Sequence, residues 1–163
     1  MKIRNRWIFF LLIFLLLLSG CGLGGPPKIE VNGAAVLEAK AAPPAASGGC
    51  HVCDAPLGNF TSRASLTIRN RGGEADRLLK VETEGAVLVS FRKTSDAQDL
   101  SNSVPVDAVE IPPHGRVEFG GSRYAMLLTG LREDLTAGQT LRLTLYFEKS
   151  GPVTVDAAII ARK

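Results

Sequence analysis

Side chains that carry out chemistry are scarce in this sequence: two His, two Met, three Cys and one Trp among 163 residues. No serine stands in a nucleophile motif, and no glycine-rich turn leads into a helix. An enzyme is therefore not expected. No segment shows an apolar stripe at helical spacing, and no βαβ pattern is present. Net charge is lacking as well. The formal charge of +3 rests on Lys2, Arg4 and Arg6, so removing residues 1–20, which hold no acid, leaves 3 − 3 = 0. No nucleic-acid partner is expected of such a chain.

The long hydrophobic run is confined to the N-terminus. Trp7 to Leu18 is uncharged and apolar, but shorter than the ~20 residues a membrane-spanning helix needs. Basic residues precede it, and Leu18-Ser19-Gly20-Cys21 follows. This is the layout of a lipoprotein signal peptide, with Cys21 as the acylated residue after cleavage; an ordinary secretory signal with an incidental cysteine is the alternative. The expected organisation is a signal peptide over 1–20, a lipidated Cys and Gly/Pro tether over 21–28, and one domain over 29–163 with an inserted loop at 40–59. The two or three acyl chains of a lipoprotein anchor firmly, so the protein is expected outside the cytoplasm, on a bacterial cell membrane or outer membrane. A spacer from Gly22 to Pro27 reaches at most about 20 Å, so the domain works near the bilayer.

What the mature chain has in abundance is alternation. Ala64, Leu66 and Ile68 alternate with polar residues, and Val87, Val89 and Phe91 form another inward set. Leu141, Leu143, Leu145 and Phe147 repeat the pattern, and so do Val153, Val155, Ala157 and Ile159. Each run reads as a strand with one buried and one wet face. Turn signals separate the runs: Asn70-Arg-Gly-Gly73, Glu84-Gly85, Pro112-Pro-His-Gly115, Ala137-Gly138 and Ser150-Gly-Pro152. Seven to nine short strands so spaced indicate an all-β domain, an antiparallel β-sandwich or Greek-key barrel. Ala39 to Asn59, rich in Ala, Pro and Gly, reads instead as a long irregular loop.

Four pieces of sequence, in order, carry a family likeness. Ser65-Leu-Thr-Ile-Arg-Asn-Arg-Gly-Gly-Glu-Ala-Asp-Arg-Leu-Leu79 is followed by Ile111-Pro-Pro-His-Gly-Arg-Val117, then Gly130-Leu131, then Leu135 to Glu148. This layout resembles the PCu(A)C periplasmic copper chaperones and covers most of the mature chain. The resemblance implies a cupredoxin-like β-barrel and copper binding or delivery for the assembly of membrane oxidases. A membrane oxidase subunit or a copper-insertion factor would then be the partner.

The family's signature is a His, a Met eleven or twelve residues on, a second His, and a Met two positions later. Thioether sulfur with imidazole suits Cu(I). On this chain the four positions fall on Phe91, Ser103, Ala125 and Leu127, so the spacing is kept and every ligand is absent. The inventory agrees: the mature chain holds one methionine, Met126, and two histidines, His51 and His114. Met126 lies next to the ligand row and by alternation points to the opposite face, as a core residue. His114 belongs to a solvated turn.

The remaining reactive side chains are Cys50-His51-Val52-Cys53. A local Cys50–Cys53 disulfide is one reading; at about 2 kcal/mol for so short a loop, it would mainly shape the loop. Binding of Cu(I) or Zn(II) by Cys50, His51 and Cys53 is a second, though structural zinc wants four ligands and no second pair exists. A thiol–disulfide redox centre is a third, against which stands Asp54-Ala-Pro-Leu-Gly58, a poor helix start. At the level of function two readings stand: a copper chaperone whose usual site is degenerate and replaced by the loop, or a metal-free binding or assembly module with a structural disulfide.

Overall fold

The computed structural model describes residues 25–41, 61–95 and 100–162. These form ten strands: β1 (Ile29–Leu37), β2 (Thr61–Asn70), β3 (Asp76–Glu82), β4 (Ala86–Lys93), β5 (Val104–Val106), β6 (Val109–Ile111), β7 (Arg116–Phe119), β8 (Tyr124–Leu131), β9 (Thr140–Phe147) and β10 (Gly151–Ile160). Among the described residues there is no helix, hence none able to cross a membrane. Ten strands exceed the seven to nine expected, because β5, β6 and β7 span only three or four residues each. Runs that short do not establish an alternation.

All ten join one sheet in the order β5-β4-β8-β7-β2-β1-β10-β9-β3-β6, with β2 also pairing β8. Most neighbours are antiparallel; β1–β10 and the single β7–β8 register are parallel. The sheet curls into a nearly closed, cupredoxin-like barrel around one core. Its seam lies between β4 and β3, where β5 pairs with only Phe91, Arg92 and Lys93 of β4. Ala86, Leu88 and Val89 thus pair with β8 on one side and line an open cleft on the other.

The alternation places side chains as expected in most strands. Ala64, Leu66 and Ile68 of β2 and Leu141, Leu143, Leu145 and Phe147 of β9 are buried. So are Ala157 and Ile159 of β10, with Val153 and Val155 packed against the core. In β4 the inward set holds for Phe91 and Val89, but Val87 is 70% exposed. The alternation changes phase at Gly130 (φ 68°): the next ladder pair, Ala86 and Leu131, is buried in the core, so Val87 is turned outward. Beneath it lies Gly130, whose missing Cβ would come within 3.1 Å of the Val87 Cβ.

Two buried polar side chains organise one end of the barrel. The carboxylate of Asp76 accepts hydrogen bonds from the backbone N–H groups of Arg77 (2.8 Å), Lys149 (2.9 Å) and Ser150 (3.0 Å). Burial opposes its charge, but these bonds outweigh that and hold its pKa below the ordinary value. The Ser150 hydroxyl also favours the charged form, although its oxygen makes no well-formed hydrogen bond, so the backbone donors carry the effect. Asn70, fully buried, accepts at Oδ1 from the backbone of Lys28 (3.1 Å) and Gly72 (2.9 Å) and donates to the Glu74 carbonyl at 2.6 Å. A side chain thereby fixes three backbone segments that no ladder reaches.

Candidate functional site

Three of the positions that the resemblance assigns to copper ligands, Ser103, Ala125 and Leu127, gather at the outer face of β4, β8 and the loop leading into β5. Residues directly opposite in a ladder share a face, and successive residues alternate. The β4–β8 register pairs Ser90 with Leu127, Phe91 with Met126, and Arg92 with Ala125. Ala125 and Leu127 therefore share their face with Arg92 and Ser90, and Arg63 of β2 joins them opposite Leu127. Ala125 is only 2% exposed yet stands apart from the hydrophobic core cluster.

Phe91 is on the other face, and its place among the ligand positions is corrected here. Its ring packs inward against Phe119 at 5.7 Å between centroids, opposite Met126. A side chain at 91 points into the core and cannot converge with side chains at 125 and 127. The position that does converge is Arg92, eleven residues before Ser103. Sequence reasoning missed it by choosing the twelve-residue spacing; parity along β4 relative to β8 is the signal that finds it.

Arg92 and Ser103 are in direct contact. Arg92 Nε donates to Ser103 Oγ at 2.6 Å and Nη2 to the Ser103 carbonyl at 2.8 Å. The Ser103 hydroxyl passes its own proton to the Leu100 carbonyl at 2.6 Å. A guanidinium thus ties the 100–103 turn to the β4–β8 face. Guanidinium has no lone pair to give a metal and stays charged throughout the physiological range. A monovalent cation placed 4 Å from it is disfavoured by about 4 kcal/mol at an effective dielectric near 20.

Among the described residues, soft donors elsewhere do not repair the face. Met126 is fully buried in the core, as alternation requires. His114 lies in the exposed Pro112–Gly115 turn at φ 53°, its N–H bonded to the Gly72 carbonyl at 3.1 Å. Among the described residues no group of three or more His, Cys, Asp or Glu could hold a metal. Cys21, Cys50, His51 and Cys53 lie outside the described residues.

The anchor points of the 42–60 segment are nonetheless defined. Ala39 and Leu135 exchange both backbone hydrogen bonds, and the Ala41 N–H donates to Asp134 Oδ1 at 2.8 Å. Lys40 Nζ meets Asp134 Oδ2 at 2.8 Å, and this hydrogen bond, with that from Ala41, holds the Asp134 carboxyl below its ordinary pKa. The chain re-enters at Thr61, paired with Thr129 of β8, two positions from the Arg63–Leu127 pair.

The open cleft across the seam has a volume of about 1000 Å³, with Lys80, Glu82, Leu88, Arg142 and Asp156 on its walls. Glu82 accepts from Lys80 Nζ and from the Tyr146 hydroxyl, each at 2.7 Å, and the two bonds lower its pKa. The Lys80 ammonium also lies 4.4 Å from the Tyr146 ring centroid. Among the described residues no His, Cys or Met lines this cleft. Lys80 pairs with Glu82 and Arg142 with Asp156, and carboxylates are hard donors that do not suit a soft metal.

A ten-stranded cupredoxin-like barrel with its signature face on β4 and β8 is a barrel of the PCu(A)C type. Within that class, the model of the LpqE-like lipoprotein family matches residues 31–159, and the chain belongs to that family. Among solved structures it is similar to the copper-bound PCuAC domain of PmoF2, at 24% identity and a TM-score of 0.59, covering 85% of this chain and 97% of that one. The apo PCuAC domain of PmoF1 gives 25% identity and 0.58 over 84% and 97%. The Cu(I) form of DR1885 from Deinococcus radiodurans gives 21% and 0.50 over 82% and 78%. No curated protein sequence matches this one.

Proposed function

We propose that this chain is an extracytoplasmic lipoprotein, anchored through acylated Cys21, that handles Cu(I) as a non-enzymatic chaperone. It does so through Cys50, His51 and Cys53 instead of the β4–β8 face. The likeness to copper-bound PCuAC domains supports the cargo, and Arg92 beside Ala125 closes the face those domains' signature would use. One observation carries the relocation. The segment holding all three donors returns to the barrel at Thr61, roughly 7 Å along β2 from the residue opposite Leu127. Two thiolates and an imidazole are the ligand types a low-coordinate Cu(I) ion prefers. A membrane oxidase subunit or a copper-insertion factor is the recipient class.

Titration of the reduced protein with Cu(I) against a chelator tests this, beside a Cys50→Ser/Cys53→Ser variant. The proposal expects one equivalent bound by the parent and at least a tenfold weaker response from the variant. Equal affinity in the two proteins, or none in either, rejects it.

The metal-free reading, an assembly module with a Cys50–Cys53 staple, draws on the same Arg92–Ser103 contact, since a side-chain cation already ties the turn to the face. Thiol counting on protein taken directly from its membrane separates the two. A fully oxidised pair favours the staple, and two free thiols favour the chaperone.

A further inference from the structure

We propose that the barrel stands on the lipid bilayer by one defined pole, and that the pole from which residues 42–60 leave and return faces away from the membrane. This rests on the acylation of Cys21 proposed above. The expectation of a Gly22–Pro27 spacer does not describe what the structure does with its second half. From Gly25 onward the chain is bound to the barrel. The Gly25 carbonyl accepts from the Gly73 N–H at 3.0 Å and the Lys28 carbonyl from the Arg71 N–H at 2.8 Å, while the Lys28 N–H donates to buried Asn70 at 3.1 Å. Gly72 packs so closely that a Cβ there would lie 2.0 Å from the Pro26 carbonyl oxygen.

Only Gly22, Leu23 and Gly24 remain between Cys21 and this clamp. Four Cα-to-Cα steps reach at most about 14 Å, well under the height of the barrel. β2 alone, running from Thr61 to Asn70, is roughly 30 Å long. A lipid attached so close to one pole cannot let the domain lie with the other pole at the membrane. The pole beside the bilayer is the one bearing Arg71–Gly73, the Pro112–Gly115 turn and Lys149. Two of its cations are already paired, Arg71 with Glu30 at 2.7 Å and Lys149 with Glu74 at 3.1 Å, and Lys28 is exposed. The short reach of the lipid attachment by itself sets the orientation on zwitterionic headgroups. At the far pole lie Ala41, Thr61 and Asp134, the residues at which the Cys-bearing segment joins the barrel. A partner reaching for that segment must project about 30 Å or more from the membrane.

The mature chain contains no Trp, so single tryptophans report position cleanly. Pro113→Trp places one on the exposed turn at the proximal pole and Ala137→Trp one on an exposed turn at the distal pole. Each mature, lipidated protein is reconstituted into phosphatidylcholine vesicles carrying a dansyl-headgroup lipid, and energy transfer is measured on vesicles recovered by flotation. Transfer from position 113 is expected to be several-fold more efficient than from 137. Inserting about 12 flexible Gly/Ser residues between Gly24 and Gly25, which leaves the barrel intact, should abolish most of that difference. Equal transfer from the two positions in floated protein overturns the orientation, and a difference that survives the insertion overturns the clamp as its cause. Protein that floats equally well with Cys21→Ser overturns the anchor reading itself.

Discussion

Arg92 lies directly opposite Ala125 across the β4–β8 ladder, on the face where the PCu(A)C signature would place metal ligands. Its guanidinium reaches sideways to Ser103 at 2.6 Å. One cationic side chain thus links three of the four signature positions into a contact that holds no donor for copper. The predictions below separate this arrangement from its alternatives.

Restoring ligands should succeed only in the phase the sheet allows. The variant Arg92→His/Ser103→Met/Ala125→His/Leu127→Met is expected to bind Cu(I) at least 100-fold more tightly than the same graft with Phe91→His replacing Arg92→His. Removal of the arginine also frees the room that a histidine at the shielded position 125 needs. Chelator competition in a Cys50→Ser/Cys53→Ser background measures it. Equal affinities for the two grafts would refute the phase assigned to β4.

Arg92→Met removes the guanidinium while keeping an apolar stem of similar reach. Two hydrogen bonds to Ser103 are lost, one to a hydroxyl and one to a carbonyl, at a cost of about 1–3 kcal/mol. Hydrogen exchange should quicken over residues 100–106, which the latch holds, and stay slow in β9 and β10. Uniform loosening of the barrel would show that the contact is not local.

Asp76→Asn leaves three backbone N–H groups sharing one neutral acceptor oxygen, and urea unfolding at neutral pH should show a loss of about 1–3 kcal/mol. The Asp76 pKa is depressed in the fold. Its contribution is therefore complete above the unfolded value, near 3.9, and is lost as pH falls through the lower folded value. The gap between parent and variant should accordingly shrink below about pH 4. A gap that is constant from pH 7 to pH 3 would exclude the ionised carboxylate as its source.

Met126→Ala tests whether the lone mature methionine is structural. A fully buried Met truncated to Ala costs about 2–5 kcal/mol, while Cu(I) uptake by the reduced protein should not change. A copper affinity that falls in step with stability would instead make Met126 a ligand that becomes accessible on opening.

Much of the barrel was legible because burial on one side of a sheet writes itself into every second residue. Leu141 to Phe147 announced β9, and the Asn70–Gly73 turn announced its own bend. Counting histidines and methionines outside residues 1–20 was enough to raise the expectation that a two-His, two-Met site is missing. The β5–β7 strands escaped because three residues carry no period. Val87 escaped because the change of phase at Gly130 leaves no mark in a two-residue repeat. The clamp on Gly25–Lys28 left no local trace, since Asn70 and Gly72 that form it are about 45 residues away in the chain.

By itself the sequence determined the inventory of donors and the alternation of each strand, which are properties of composition and of a two-residue repeat. Which of Phe91 and Arg92 faces Ala125 was decided only in the tertiary structure. A strand's two faces are equivalent until a partner strand pairs with it, and one residue of offset exchanges a buried phenyl ring for a guanidinium. Long-range hydrogen bonds between β4 and β8 made that choice.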